Sequence, residues 1–135
     1  MKTAVIYWSG SGNTQAMAEA VAEAAGAELF NVSEFSGNID DYDRVAFGCP
    51  AMGAEELEES EFEPFFAGVE DKLSGKTIAL FGSYGWGDGE WMRSWAERAK
   101  AAGAEIIDGE GLIANETPDD EALENCRALG EKLAK

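Results

Sequence analysis

Apolar positions along the chain switch between short continuous runs and longer stretches at helical spacing. Residues 3–8 form a β-branched and aromatic run that ends at Ser9-Gly10-Ser11-Gly12. Residues 13–25 follow with Met17, Val21 and Ala24 on one helical face, closed by Gly26. Residues 27–32 and 44–49 read as second and third strands, the latter stopped by Pro50. A helical stripe runs through Phe62, Phe65, Phe66, Val69 and Leu73, predicting a helix over 62–73. Residues 77–81 predict a fourth strand running into a glycine-rich loop at 82–87, and 89–102 a helix ended by Gly103. Residues 104–107 and 111–114 read as a fifth strand broken at Asp108-Gly109. The last helix spans 118–133, with Pro118 near its first turn and Asp119, Asp120 and Glu121 suiting its dipole.

Strands alternating with helices imply a parallel sheet covered on both faces. No linker, repeat or low-complexity stretch interrupts the 135 residues, so the expectation is one α/β domain, 1–135, doubly wound around a five-stranded parallel sheet. In such a sheet, ligands bind beyond the carboxyl ends of the strands, where strand order reverses.

The charge balance narrows the chemistry. Ten Lys+Arg against 27 Asp+Glu leave −17, which argues against nucleic acid or an anionic membrane as partner. The absence of histidine removes Ser-His-Asp and Cys-His catalysis and the commonest zinc ligand sets, and no metal site is expected. Cys49 and Cys126 are too few for a disulfide scaffold and read as inert thiols in a reducing compartment. The first eight residues do not read as a secretory leader and no run approaches a membrane span, so a cytoplasmic protein is expected.

Three loops carry unusual residues. In Ser9-Gly10-Ser11-Gly12-Asn13-Thr14, two glycines allow close backbone approach, while three hydroxyls and a helix start offer donors to an anion. After Lys2 no cation occurs before Arg44, so a phosphate here would be held by neutral donors. The loop lacks the Gly-Lys-Ser/Thr ending of a P-loop and the third glycine of a dinucleotide fingerprint. It also reads as a plain capped turn. In the loop after the third strand, Ala51-Met52-Gly53 offers a polarizable apolar surface beside a mobile peptide. Taken alone, a buried gap-filling methionine and a turn glycine are the simpler reading. In Gly82-Ser83-Tyr84-Gly85-Trp86-Gly87, a tryptophan flanked by glycines suits a stacking platform better than a core position, though a core Trp in a turn is the competing reading. Together the loops describe a ligand with a phosphate at one end and a flat heteroaromatic at the other, the shape of FMN.

On these residues the chain resembles the short-chain flavodoxins over essentially its full length. The resemblance rests on residues 7–14, on Ala51-Met52-Gly53, on residues 58–65 and on residues 81–87, in order and spacing. It implies the strand order 2-1-3-4-5, for which flavodoxin is the standard example. It further implies that Ser9, Gly10, Ser11, Gly12, Asn13 and Thr14 wrap the FMN phosphate, with Ser83 adding a hydroxyl. Met52 and Trp86 would flank the isoalloxazine. Glu55 would accept from flavin N3–H, the backbone at Gly85, Trp86 and Gly87 would meet the N1/O2 edge, and Ala51 and Tyr84 would belong to the same cofactor site. The Gly53–Ala54 peptide would turn so that the Gly53 carbonyl accepts from N5–H of the neutral semiquinone. Pro50, where some relatives have a hydroxyl residue, and Ala54, where others carry polar residues, depart from the pattern.

The implied function is a low-potential one-electron carrier, not an enzyme, cycling between neutral semiquinone and anionic hydroquinone. Its partners would be redox enzymes with basic docking faces, such as ferredoxin-dependent oxidoreductases and flavoprotein reductases, met by a monomer. Six glutamates at 55, 56, 58, 59, 61 and 63 would hold the second potential down, each opposing the hydroquinone charge by about 1–2 kcal/mol at ~10 Å and an effective dielectric of ~20. The simpler reading of that cluster is a solvated helix start. A small FMN-dependent quinone or nitro-compound reductase is the alternative, but a Met52/Trp86 enclosure with short loops leaves it little substrate room. A phosphate-receiving regulator would need acids after the first strand and an Asp after the third, where Trp8-Ser9 and Cys49-Pro50 stand. A small tyrosine phosphatase would need Arg six residues after Cys49, where Glu55 stands. Trp91 and Trp95, at i and i+4, read as packing residues, with Trp91 close enough to border the cofactor.

Overall fold

A computed structural model describes all residues, Met1–Lys135. The strands are β1 (Thr3–Tyr7), β2 (Glu28–Asn31), β3 (Arg44–Gly48), β4 (Thr77–Tyr84), β5 (Glu105–Ile106) and β6 (Leu112–Asn115). The helices are α1 (Asn13–Ala25), α2 (Phe62–Val69), α3 (Glu90–Ala101) and α4 (Asp120–Leu133). All pairings are parallel, in the order β2-β1-β3-β4-β5, with β6 also on β4. The expected fold class and strand order therefore hold.

Successive side chains of a strand point to opposite faces, and the core divides accordingly. Ala4 and Ile6, Val45 and Phe47, and Ile78 and Leu80 face Phe62 and Phe66 of α2 and Trp91 and Trp95 of α3. Val5, Tyr7, Ala46, Ala79 and Phe81 face Met17 and Val21 of α1 and Cys126, Leu129 and Leu133 of α4. Because both faces are covered, β1, β3 and β4 read as continuous apolar runs rather than alternating ones.

Three boundaries differ from expectation. The fifth strand is two short strands, not one, so the sheet has six: Glu105–Ile106 pairs the start of β4 and Leu112–Asn115 its end, with Asp108 in a left-handed turn between them. β4 runs on through Ser83 and Tyr84, where a loop was expected, because these residues pair with Ala114 and Asn115 of β6. The helix expected over 62–73 is α-helical only to Val69 and tightens to a 3-10 turn at Glu70–Lys72. Pro118 precedes α4, whose cap is Asp119, with its side chain accepting from the Ala122 N–H at 2.8 Å.

On the second face, α4 rests on α1 at Gly130. A Cβ there would lie 2.3 Å from the Val21 carbonyl oxygen and 2.9 Å from the Ala24 Cβ. Alanine is the better helix former by about 1 kcal/mol, so propensity and packing oppose each other. Overpacking against backbone should win: Gly130→Ala is expected to destabilise the protein by about 1–3 kcal/mol in urea unfolding. A stabilised variant would show that α4 shifts off α1 at little cost.

Candidate functional site

The C-terminal ends of β1, β3 and β4 deliver three loops to one end of the sheet, around a cavity of about 350 Å³. Gly10, Ser11 and Asn13 line it from the first loop, Ala51 and Met52 from the second, and Ser83, Tyr84 and Gly85 from the third. No Lys or Arg lines it. A second cavity of about 370 Å³ lies between α3 and the β5–β6 connection, rimmed by Arg93, Glu97, Lys100 and Glu110. It holds none of the loop residues singled out in the sequence except the neighbouring Gly89, so the first cavity is the candidate site.

The first loop is shaped by its own side chains. The Ser9 hydroxyl oxygen accepts from the N–H groups of Gly12 (3.1 Å) and Gln15 (3.2 Å), folding the chain back over the start of α1. The N–H groups of Gly10, Ser11 and Thr14 donate to no acceptor within the protein. A helix start with unspent donors and no cation is suited to an anion through neutral hydrogen bonds. The Thr14 and Ser83 hydroxyls are buried and paired with each other at 2.9 Å, and the Ser83 N–H donates to Thr14 Oγ1 at 3.3 Å. Ser83 therefore ties β4 to the loop, which the sequence did not suggest.

The second loop is a small hairpin. Met52 and Glu56 exchange backbone hydrogen bonds of 2.8 and 2.9 Å, leaving Gly53, Ala54 and Glu55 at the tip. Gly53 has φ +50°, a left-handed conformation that glycine adopts at little cost. Met52 is 38% exposed, so it is not a gap-filling core residue. Glu55 turns toward the third loop, where one carboxylate oxygen accepts from the Glu90 N–H at 3.1 Å. Gly87, at φ +85°, lies so close that a Cβ would fall 2.6 Å from the Glu55 carboxylate.

In the third loop Trp86 is 62% exposed, which removes the core-tryptophan reading. The N–H groups of Gly85, Trp86 and Gly87 donate to no protein acceptor. Trp91, by contrast, is buried; its ring sits 5.6 Å from that of Tyr84 and its indole N–H donates to the Cys49 carbonyl at 3.1 Å. It packs, and does not line the cavity.

Trp8 and Glu116 also line the cavity without having been singled out for it, as does Pro50, the departure from the family pattern. Trp8 lies under Gly10, where a Cβ would meet its ring at 3.0 Å, and its indole N–H donates to Glu61 at 3.3 Å. Its place at the end of β1 was the available signal. Glu116 arrives from β6, whose N-terminal neighbours gave no hint of a site. Cys49 is fully buried, and desolvation pushes its thiol up to about 12, helped by the charges of Glu58 and Glu63 against an opposing hydrogen bond from the Glu58 backbone. Such a thiol is inert at neutral pH.

The sequence profile of the Flavodoxin family matches residues 5–130. The chain is 50% identical to a flavodoxin of Megasphaera elsdenii over 97% of each chain. It is 45% identical to a flavodoxin of Clostridium beijerinckii, over 96% of this chain and 97% of that one. The solution structure of two-electron reduced Megasphaera elsdenii flavodoxin superposes with a TM-score of 0.83 over 98% of each chain, at 45% identity in the superposition.

The acidic run is not a uniformly solvated helix start. Glu63 is bonded to Arg98, which also takes Glu70, and these carboxylates raise the pKa of the Arg98 guanidinium above its ordinary value. Glu58 is buried at 6% exposure, and its carboxylate accepts from the N–H groups of Ser60, Glu61 and Phe62, each at 2.8 Å, and from the Ser60 hydroxyl. Burial pushes this carboxyl up, but the Ser60 hydroxyl and the three N–H donors outweigh it and hold it below the usual carboxylate range. A folded-state value below the unfolded one makes Glu58 stabilising above about pH 4.3, and that contribution is lost as pH falls through the folded value. Glu58→Gln should cost about 1.5–3 kcal/mol near neutral pH. The gap to wild type should stay level from about pH 8 to 5 and narrow below the ordinary carboxylate value of about 4.3. Urea unfolding at fixed FMN concentration across that range reads it; a gap that widens in acid would refute the assignment.

Proposed function

The chain belongs to the flavodoxin family and is an FMN-binding electron carrier rather than an enzyme with its own turnover, and from that premise we propose which of its residues hold the cofactor and tune it. The observation that carries the proposal is one cavity that brings unspent backbone donors of Gly10, Ser11 and Gly85 together with the exposed Met52, while Trp86, next to Gly85 and outside the lining, is left exposed beside it in the chain. FMN supplies single-electron transfer at its isoalloxazine ring.

The donors divide the site into two ends. Gly10, Ser11 and Thr14 hold the phosphate through their N–H groups, with the Ser11 hydroxyl and Asn13 beside them. Ser9 and Gly12 shape the turn, and the Thr14–Ser83 hydroxyl pair fixes it against β4. Met52 and Trp86 cover the two faces of the ring, and Ala51 and Tyr84 line the passage between its ends. The N–H groups of Gly85, Trp86 and Gly87 donate to the N1/O2 edge. Glu55 keeps one oxygen on the Glu90 N–H, and its carboxylate accepts from N3–H with lone pairs that bond leaves free. The Gly53 carbonyl turns to accept from a protonated N5, with Ala54 on the other side of the moving peptide.

With no cation lining the cavity, added negative charge at the ring is opposed by Glu55 and Glu116 and by the exposed Glu56 and Glu59, which favours a low second potential. The same carboxylates steer a monomeric cytoplasmic carrier toward basic docking faces on redox enzymes, ferredoxin-dependent oxidoreductases and flavoprotein reductases among them. No helix is long and apolar enough to cross a membrane.

Titration of apoprotein with FMN, followed by flavin fluorescence, is expected to show one site per chain. Trp86→Ala should weaken binding about tenfold to hundredfold, the range of about 1–3 kcal/mol for loss of one aromatic stacking partner. Unchanged affinity would place the ring elsewhere. Electron transfer to a partner with a basic docking face should slow as ionic strength rises from about 0.01 to 0.15 M, where the Debye length falls from about 30 to 8 Å. A salt-independent rate would remove the steering role of the acidic run.

A further inference from the structure

The segment that joins β3 to α2 carries Met52, Gly53 and Glu55, and it is held at both ends. At its start, the Cys49 and Ala51 N–H groups donate to the carbonyls of Phe81 (3.1 Å) and Ser83 (3.0 Å), and Trp91 donates to the Cys49 carbonyl. At its end, Leu57 is buried and the Glu58 N–H donates to Cys49 Sγ at 3.4 Å. The Glu58 side chain reaches forward to take three N–H groups and a hydroxyl at the start of α2. Glu58 is thus bonded through its backbone to the end of β3 and through its carboxylate to α2.

A buried carboxylate without a cationic partner is an expensive way to cap a helix, since Ser or Asp at the cap position would serve. What Glu58 adds is the connection between two elements. With it in place, the Met52–Glu56 hydrogen-bonded pair sits on a closed base, and the residues left exposed with no backbone tether are Gly53 and Ala54. We infer that Glu58 is a positioning residue for the ring loop: by joining the start of α2 to Cys49, it closes the base of the Met52–Glu56 hairpin and confines backbone rearrangement to the Gly53–Ala54 peptide. This rests on the reading above that the Gly53 carbonyl meets N5–H.

Loss of the clamp and loss of a charge act on different steps. A loosened hairpin must be ordered before Gly53 can accept from N5–H, which lowers the first midpoint potential. Removal of a negative charge near the ring alone would raise the second potential, the step that adds net charge, and leave the first in place, since an electron and a proton arrive there together. In Glu58→Gln, amide hydrogen exchange at Met52 and Glu56 of the apoprotein should speed at least tenfold relative to the amides of α4. The first potential of the holoprotein should fall by about 59 mV, the equivalent of tenfold for one electron. Ser60→Ala, which keeps the charge and removes one donor from an exposed residue, should move both readouts the same way by less, and serves if Glu58→Gln does not fold. Unchanged exchange at Met52 and Glu56, or a first potential that stays in place or rises, would overturn the inference. Gly53→Ala is the control: if it leaves the first potential in place, the Gly53 reading fails, while the exchange measurement still judges Glu58.

Discussion

All three loops of the site hang from the second half of β4. The first half of the strand pairs with β3 from Thr77 to Phe81, but beyond that β4 outruns β3 while β6 supports it on the other side. The backbone left over there is spent on the site. Phe81 and Ser83 accept from Cys49 and Ala51, so the chain leaving β3 is carried along β4 instead of dispersing into solvent. Ser83 turns its hydroxyl to Thr14 and so fixes the start of α1. Tyr84 ends the strand, with its carbonyl held by Glu116 and Asn115, and releases the chain into the Gly85–Gly87 loop. A parallel sheet gathers strand ends at one edge in any case; here one strand longer than its neighbour turns that gathering into fixed distances between loops.

The electrostatics follow from which carboxylates remain free. The chain carries −17, yet the run from Glu55 to Glu63 is heterogeneous in what its members do. Glu58 is consumed as a buried cap, Glu63 by Arg98, and Glu55 and Glu61 each hold a donor on a neighbouring element. Arg98 also lies over the Phe66 ring at 5.0 Å, which spends the cation on the packing of α3 against α2 rather than on the site. The cavity thus stays free of positive charge although acids surround it, a condition that disfavours anionic charge on a bound ring and asks the phosphate to rely on backbone dipoles.

Much of this was legible in the sequence, and the division is physical. The strand-helix alternation gave topology because buried parallel strands must be apolar throughout. Trp86 between glycines announced itself because such a residue cannot be packed around, and its exposure agrees. Ser9, Thr14 and Ser83 were visible as hydroxyls in the right loops, but not their direction: two of the three turn to each other across 69 residues of sequence, a tertiary pairing no local pattern encodes. Ser83 and Tyr84 looked like loop for the same reason, since β6 makes them strand. Glu58 was hidden among identical neighbours. A carboxylate is ordinarily solvated, and only its position two to four residues before three free N–H groups makes it a buried cap.

The two ends of the site differ in how they are held, and that difference suits a carrier. The first loop, which we propose holds the phosphate, is braced by Ser9 and by Thr14 with Ser83. At the ring end, Glu55 and Glu116 stand at φ +56° and +55°, conformations that cost a non-glycine residue on the order of 1 kcal/mol or more. Each is locked by what flanks it, Glu55 by the Met52–Glu56 pair and the Glu90 N–H, and Glu116 by its 2.7 Å bond to Tyr84. Between the paired Met52 and the locked Glu55 lie Gly53 and Ala54, exposed and untethered. A protein that must bind the same cofactor before and after an electron arrives needs its anchorage indifferent to the change and its response confined to one place. On the proposed assignment, a braced phosphate loop meets the first requirement, and a hairpin free only at Gly53 and Ala54 meets the second.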